Sequence, residues 1–325
     1  MSVIETRDLY KSYGRIEALK GVSIRVEPGQ IYGLLGQNGA GKTTLIKILL
    51  GIVRKTDGDA NLLGHEAGDP GARKRVGYLP EDHAFPVYHT GYSLMDFYGQ
   101  LYGMARDDRR RMIPEMLELV GIAGRMNSKI RTYSKGMKQR LGIAQALLHA
   151  PDLIILDEPT DGVDPLGRRE IRELMGRLKE KGHTLFLNSH LLGEVELVCD
   201  RVAILQQGSL VREGTIADLT RQAGRYDIGL ADGHQFPADA AIKLGFMVLP
   251  LVDKPGLFEV TLPAGQTIDP VLRLVAEKGL SLRHLVEKKQ SLEDAFLATV
   301  EGAEPGVDRR PKGRRGARPV GGRDD

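Results

Sequence analysis

The stretch Gly36–Thr44, Gly-Gln-Asn-Gly-Ala-Gly-Lys-Thr-Thr, constrains this chain more than any other. It holds the pattern G-x-x-x-x-G-K-[ST] on Gly36, Gly41, Lys42 and Thr43, between an apolar run at Ile31–Leu35 and a helix-like run at Leu45–Leu50. Strand, loop and helix in that order are the setting in which the pattern folds as a phosphate loop. Its glycines let the backbone turn until successive N–H groups point at one anion, and the following helix adds its positive end. Lys42 is then placed to reach β- and γ-phosphates, and the Thr43 hydroxyl to meet Mg2+. Asn38, Gly39 and Thr44 fill out the candidate cradle.

A second apolar run, Leu153–Asp157, ends in the carboxylates of Asp157 and Glu158. Unbroken apolar residues suit a central parallel strand buried on both faces. Ligand chemistry in such sheets gathers at the carboxyl ends of the strands. Asp157 is a candidate Mg2+ ligand, and Glu158 a candidate to orient or deprotonate an attacking water. The blander alternative is a pair of acids capping the turn before Pro159. Thr184–Asn188 reads as a further strand, ending at Ser189 and His190, and a neutral imidazole there can donate to a phosphoryl oxygen. Ser134 and Gly136, within Tyr133-Ser134-Lys135-Gly136-Met137, open a helix with Leu141, Ala144 and Leu148 on one face, a second potential anion site. Tyr13 offers an aromatic face ahead of the phosphate loop. Taken alone it stacks on a base or is simply structural.

Around these motifs the pattern is mixed α/β. Residues 3–35 read as β-rich, with strands at Val22–Val26 and Ile31–Leu35. Asp57–Leu63 reads as a hairpin strand and Arg75–Leu79 as a buried one, broken by Pro80, Glu81 and Asp82. Residues 92–120 carry helical spacing, with Met112, Met116 and Val120 on one stripe. Their Met and Tyr content suits either a contact surface or ordinary packing. Thr160–Pro165 opens a helix in which Ile171, Leu174, Met175 and Leu178 share a face. Residues 225–300 predict a small α+β unit with its own core. Its strands fall at Leu257–Thr261 and Leu280–Val286, its helices at Pro270–Lys278 and Leu292–Val300, with a capping box at Ser291 and Asp294. Residues 301–325 predict a disordered tail. Arg309–Arg323 holds seven basic residues and no acid, so it is either solvated or in contact with anionic lipid or nucleic acid.

Composition excludes several classes. A chain of 325 residues is too long for one typical domain. A net charge of +3 argues against an overall field for nucleic acid. Cys199 is the only cysteine, so no intrachain disulfide forms and a reducing compartment is expected. Met1–Tyr10 carries Glu5, Arg7 and Asp8 where a signal peptide needs an apolar core. No apolar run approaches the roughly 20 residues a membrane-crossing helix needs. At a membrane, another chain is expected to do the crossing.

Residues 1–220 resemble the ATP-binding subunit of an ABC transporter throughout. Gly36–Thr43 is similar to its Walker A motif, and Leu153–Asp157 to Walker B with Glu158 as the catalytic carboxylate. Tyr133–Met137 resembles the signature loop, Asp161–Asp164 the D-loop, and His190 the switch histidine; Tyr13 falls where the family keeps its adenine-stacking aromatic. The resemblance implies an α/β P-loop fold of ABC type: a RecA-like core sheet, an antiparallel β subdomain and a helical subdomain over 1–223. A small α+β accessory domain (224–300) and the tail (301–325) would follow. It further implies ATP and Mg2+ as cofactors, with Thr43, Asp157 and Glu81 toward the metal and Glu158 and His190 as catalytic groups. Tyr13, Gly36, Asn38, Gly39, Gly41, Lys42, Thr43, Thr44, Ser134, Gly136 and Asp164 would hold nucleotide.

The expected partners are a multi-span permease and a second ATPase subunit, at the cytoplasmic face of the plasma membrane. Ser291-Leu-Glu-Asp-Ala-Phe-Leu297 resembles the ending of ATPases that serve ABC-2-type exporters. Two departures stand out. The usual Leu-Ser-Gly-Gly-Gln is Tyr-Ser-Lys-Gly-Met here, retaining Ser134 and Gly136. Glu81 replaces the Q-loop glutamine. The competing class is a soluble ABC ATPase acting on ribosomes or nucleic acid, but the chain has one Walker A and no sustained heptads.

Overall fold

The computed structural model describes residues 2–231, 236–251, 254, 256–263, 266–289, 291–294 and 296. The predicted tail and the end of the predicted 292–300 helix lie outside the described residues. From the N-terminus run strands β1 (Ile4–Tyr13), β2 (Ile16–Val22), β3 (Arg25–Val26) and β4 (Ile31–Leu35), then helix α1 (Lys42–Leu49). β5 (Asp57–Leu62), β6 (His65–Glu66), α2 (Pro70–Arg73) and β7 (Val76–Leu79) follow, before helices α3 (Gly91–Leu101), α4 (Arg106–Leu119) and α5 (Lys135–Leu147). Next come β8 (Leu153–Asp157), α6 (Pro165–Glu180), β9 (Thr184–Ser189), α7 (Leu192–Val198), β10 (Arg201–Gln206), β11 (Ser209–Thr215) and α8 (Ile216–Thr220). The last elements are β12 (Arg221–Leu230), α9 (Ala238–Lys243), β13 (Met247–Pro250), β14 (Leu257–Thr261), α10 (Asp269–Glu277) and β15 (Leu282–Lys289).

The central sheet has the order β11-β10-β4-β9-β8-β7, parallel except for the β10–β11 hairpin. β4 and β8 are buried along their whole length, as two-sided packing requires. The two-residue period of a strand divides their side chains between two cores. Ile31, Leu35, Ile154, Leu156, Leu185 and Leu187 face a core shared with α3–α7. Tyr32, Leu34, Leu153, Ile155 and Phe186 face a second core, shared with α1 and the antiparallel sheet β2-β1-β5-β6. Gly33 of β4 is needed for close approach: a Cβ there would stand 2.9 Å from Val195 of α7 and 2.9 Å from Val202.

The third sheet, β13-β14-β12-β15, is antiparallel. Ile228, Phe246 and Val260 close a separate core with Ala241 of α9 and Val271 and Val275 of α10. β12 runs through positions 223 and 224, where the sequence predicted a boundary. Past β15, Ser291 and Asp294 form the predicted reciprocal cap, with Asp294 N–H donating to Ser291 Oγ at 3.0 Å and Ser291 N–H to Asp294 Oδ2 at 3.2 Å. Leu292 and Phe296 then return to the large core, 0% and 7% exposed, and Leu292 N–H donates to Glu196 of α7 at 2.8 Å.

Two runs with a continuous sequence pattern are divided in the structure. Val22–Val26 is not one strand. The Thr6 hydroxyl donates to Val22 O and accepts from Ile24 N–H, replacing ladder bonds and splitting β2 from β3. The helical run over 92–120 is two helices, parted at Gly103, whose φ of +74° a continuous α-helix cannot hold.

Candidate functional site

The phosphate loop leaves the carboxyl end of β4 and enters α1. Gly36 has φ +154° and a Cβ on it would lie 2.4 Å from Leu205 O; Gly41 has φ +104° and its Cβ would lie 2.5 Å from Ala18 O. Only glycine fits either position, so the tight turn is written into the sequence. Gly41 caps α1 without a side chain, leaving the first-turn N–H groups of Lys42, Thr43 and Thr44 free for an anion. Lys42 is 6% exposed, and its ammonium donates to Gly36 O at 2.5 Å and Gln37 O at 3.3 Å. Burial holds its pKa below the usual lysine value, while the carboxylates of Glu158, Asp157 and Glu81 oppose the shift.

Asp157 ends β8 at 1% exposure. Burial pushes its carboxyl above the usual aspartate value; the Asn188 amide counters this, Glu81 and Glu158 add to it, and Lys42 counters it again. Glu158, 4% exposed, sits just past the strand at φ +51°, left-handed backbone that a glutamate adopts only when held. Its N–H donates to Asn188 O at 2.9 Å, and its carbonyl accepts from Gln139 Nε2 at 3.3 Å. His190 Nδ1 stands 2.9 Å from Glu158 Oε2, out of hydrogen-bond alignment.

An open cavity of about 400 Å3 lies between the phosphate loop and Glu158, lined by Gln37–Thr44, Glu81, Glu158 and Asn188, with Ile16, Glu17 and Ala18 at one end. A larger groove of about 790 Å3 lies against α6 and α7, but its cations are paired (Arg169 with Glu173, Arg172 with Glu194, Lys179 with Asp200) and it includes none of the loop. The chemistry sits in the smaller one.

The other candidates stand apart from this lining. Tyr13 is 45% exposed at the end of β1, with Lys11 Nζ 4.6 Å from its ring centroid. Ser134 caps α5 by accepting from Met137 N–H at 3.1 Å, and both it and Gly136 lie outside the wall of the cavity. Asp164 spends its carboxylate capping α6, accepting from Gly167 N–H at 2.7 Å. Lys135 pairs instead with Asp161 at 3.0 Å. Asn188 and Gln139 were missed by the sequence reading. The Gln139-Arg140 pair after the signature string carried the only signal for one; Asn188 carried none.

The oxygens that could take Mg2+ are hard donors: the Thr43 hydroxyl and the Asp157 and Glu81 carboxylates. Among the described residues no cage of three or more His, Cys, Asp or Glu exists. That fits an ion held by one or two carboxylates, a hydroxyl, substrate phosphates and its own waters. The buried Oδ1 of Asn188, a residue of the cavity wall, has no hydrogen-bond partner in the protein.

A phosphate loop, a buried carboxylate two strands away across β9 and a glutamate poised beside a histidine define a P-loop ATPase. The ABC transporter family profile matches residues 19–161. The chain is 40% identical over 309 residues to an uncharacterised ABC transporter ATP-binding protein of Nostoc sp., covering 92% of this chain and 90% of that one. It is 35% identical over 310 residues to the bacitracin transport ATP-binding protein BcrA of Bacillus licheniformis, covering 94% and 99%. A solved ATP-binding subunit of an ABC transporter superposes with a TM-score of 0.61 at 32% identity, over 67% of this chain and 92% of that one. This protein belongs to the ATP-binding subunits of ABC transporters. It binds and hydrolyses ATP to power a transporter, as the motifs led one to expect, and its relatives include members of the ABC-2 exporter branch. Nothing favours the ribosome or nucleic-acid alternative. Subunits of this family dimerise and work with membrane permeases.

Proposed function

We propose that two copies of this chain close head to tail over two ATP molecules beneath a multi-span exporter permease, at the cytoplasmic face of the plasma membrane. One observation carries the reading: the cavity formed by one chain's phosphate loop, Glu81, Glu158 and Asn188 leaves out that chain's own Ser134 and Gly136. These two residues stand at the N-terminus of α5, a 13-residue helix whose positive end is suited to a phosphate of another subunit's nucleotide. No helix of the described residues is long and apolar enough to cross a membrane, which supports a peripheral position through a partner. The exporter assignment is supported by relatives named for bacitracin transport and linearmycin resistance.

Within each site the loop N–H groups and Lys42 bind and orient the phosphates, and Tyr13 stacks on the base. Thr43, Asp157 and Glu81 hold Mg2+, which supplies positive charge to the phosphate oxygens when bound with ATP. Glu158 accepts a proton from the attacking water at its carboxylate, or orders that water, and His190 donates to the phosphoryl group as charge develops. Such sites act chiefly by positioning and electrostatics. Asp164 acts from the D-loop across the dimer. Residues 224–300 serve as an accessory domain and 301–325 as a tail. The segment after Glu81 passes closure to the permease as a shift between two states.

Mixing two inactive variants tests the arrangement. Lys42→Ala removes the phosphate cation. Gly136→Asp sets a carboxylate against the γ-phosphate of the other subunit. A Cβ on Gly136 meets nothing closer than 3.4 Å, so the aspartate is accommodated by the subunit's own fold. A mixed dimer has one site with both defects and one with neither, so hydrolysis returns on mixing. A mixture that stays inactive, with mixed dimers shown to form, refutes the head-to-tail arrangement.

A further inference from the structure

Asn188 occupies a position that the reaction described above leaves unused. It lies near the end of β9, between Asp157 of β8 and Leu34 of β4, the strands that deliver the carboxylates and the phosphate loop. It is 1% exposed, yet it lines the nucleotide cavity together with Lys42, Thr43 and Glu158. Its Nδ2 donates to Asp157 Oδ1. An ionised carboxylate only accepts hydrogen bonds, so the amide orientation is fixed: nitrogen toward Asp157, oxygen away from it. That oxygen is buried and has no hydrogen-bond partner in the protein. A buried acceptor left unmatched is costly, and one retained beside a phosphate site calls for a donor there.

The phosphates of ATP at neutral pH accept hydrogen bonds and cannot supply one. Lys42 Nζ already donates to two loop carbonyls. The ammonium's third N–H is the one left for the phosphates, and water held by Mg2+ is the donor suited to the amide oxygen, because the ion keeps several waters when bound to phosphates and polarises their O–H bonds. We propose that Asn188 is a metal-positioning residue, its Nδ2 fixing the Asp157 carboxylate and its Oδ1 accepting from a water on the Mg2+ that enters with ATP. The proposal rests on the Mg-ATP reading of this site. The same residue's backbone carbonyl holds the N–H of Glu158 at 2.9 Å, so one strand residue sets the metal side and the water-activating side together.

The test measures metal binding rather than turnover. Full-length wild-type protein, Asn188→Leu and Asn188→Ser are titrated with Mn2+ in the presence of AMP-PNP, with bound Mn2+ read by electron paramagnetic resonance. Nucleotide binding without metal is measured separately, with a fluorescent ATP analogue in EDTA. Loss of an outer partner of a metal site typically costs roughly 10–100-fold in metal affinity. That rise in the Mn2+ requirement is expected for both variants, with metal-free nucleotide affinity unchanged within about twofold, well inside the tenfold that 1.4 kcal/mol would give. The serine variant, small and polar, covers the case in which leucine disturbs folding. A Mn2+ requirement equal to wild type in either folded variant overturns the proposal, as does an equal loss of metal-free binding, which marks a structural role. Wild-type protein that binds AMP-PNP with no dependence on metal would instead overturn the Mg-ATP reading itself.

Discussion

Replacing Glu158 with glutamine isolates chemistry from binding, because the surroundings hold the residue by its backbone. The left-handed φ of +51° is kept by an N–H bond to Asn188 O and by the Gln139 amide on the Glu158 carbonyl, and neither involves the carboxylate. The amide has the same size and the same backbone preference, so the side chain stays where it is. What disappears is a proton acceptor and one of the charges facing Lys42. A positioned acid–base group contributes roughly 10²–10⁴ in rate, or about 2.7–5.4 kcal/mol at 1.36 kcal/mol per tenfold. Steady-state phosphate release by Glu158→Gln is therefore expected to fall by that factor, with ATP affinity retained. The uncleaved nucleotide should hold the dimer closed, giving a dimer peak on size-exclusion chromatography in ATP that is absent without it. Turnover within tenfold of wild type would refute the role given to Glu158. Lost ATP binding in a folded variant would show that its charge serves the ground state.

Two shorter predictions concern what surrounds this chemistry. Glu81→Ala is expected to abolish transport in the assembled complex while the isolated subunit keeps much of its ATPase activity, because exposed Val87 and Tyr88 follow it on the surface; equal loss in both assays would make it mainly a metal ligand. Leu292→Ala removes a side chain with 0% exposure from the large core and is expected to cost about 2–5 kcal/mol in urea unfolding, the range for such truncations, whereas a change below about 0.5 kcal/mol would mean the string does not dock there.

Features confined to one stretch of chain could be read from the sequence, and features made by juxtaposition could not. The phosphate loop was legible because its glycines answer local demands: a φ of +104° at Gly41, and at Gly36 a carbonyl 2.4 Å from where a Cβ would sit. The buried strands were legible because two-sided burial requires an unbroken apolar run such as Leu153–Leu156. Val22–Val26 misled because its pattern is β-like throughout. The break is made by the hydroxyl of Thr6, a residue of another strand. Gly103 carried a local signal, yet the apolar stripes on both sides masked it.

Asn188 shows the limit most clearly. In the sequence it is a polar residue at the end of an apolar run, indistinguishable from a strand terminus. Its importance comes from β8 lying beside β9 in register, Asp157 opposite Asn188, with the phosphate loop arriving from β4 on the other side. Gln139 gains its place in the same way, from α5 packing where Glu158 needs a donor for its carbonyl. Asn188 holds the Asp157 carboxylate and Gln139 the main-chain carbonyl of Glu158, through contacts 31 and 19 residues apart in sequence. Spacing within a motif does not encode such contacts. In this chain the groups positioned for the nucleotide are announced by local pattern, and the groups that position them appear only once the parallel sheet is assembled.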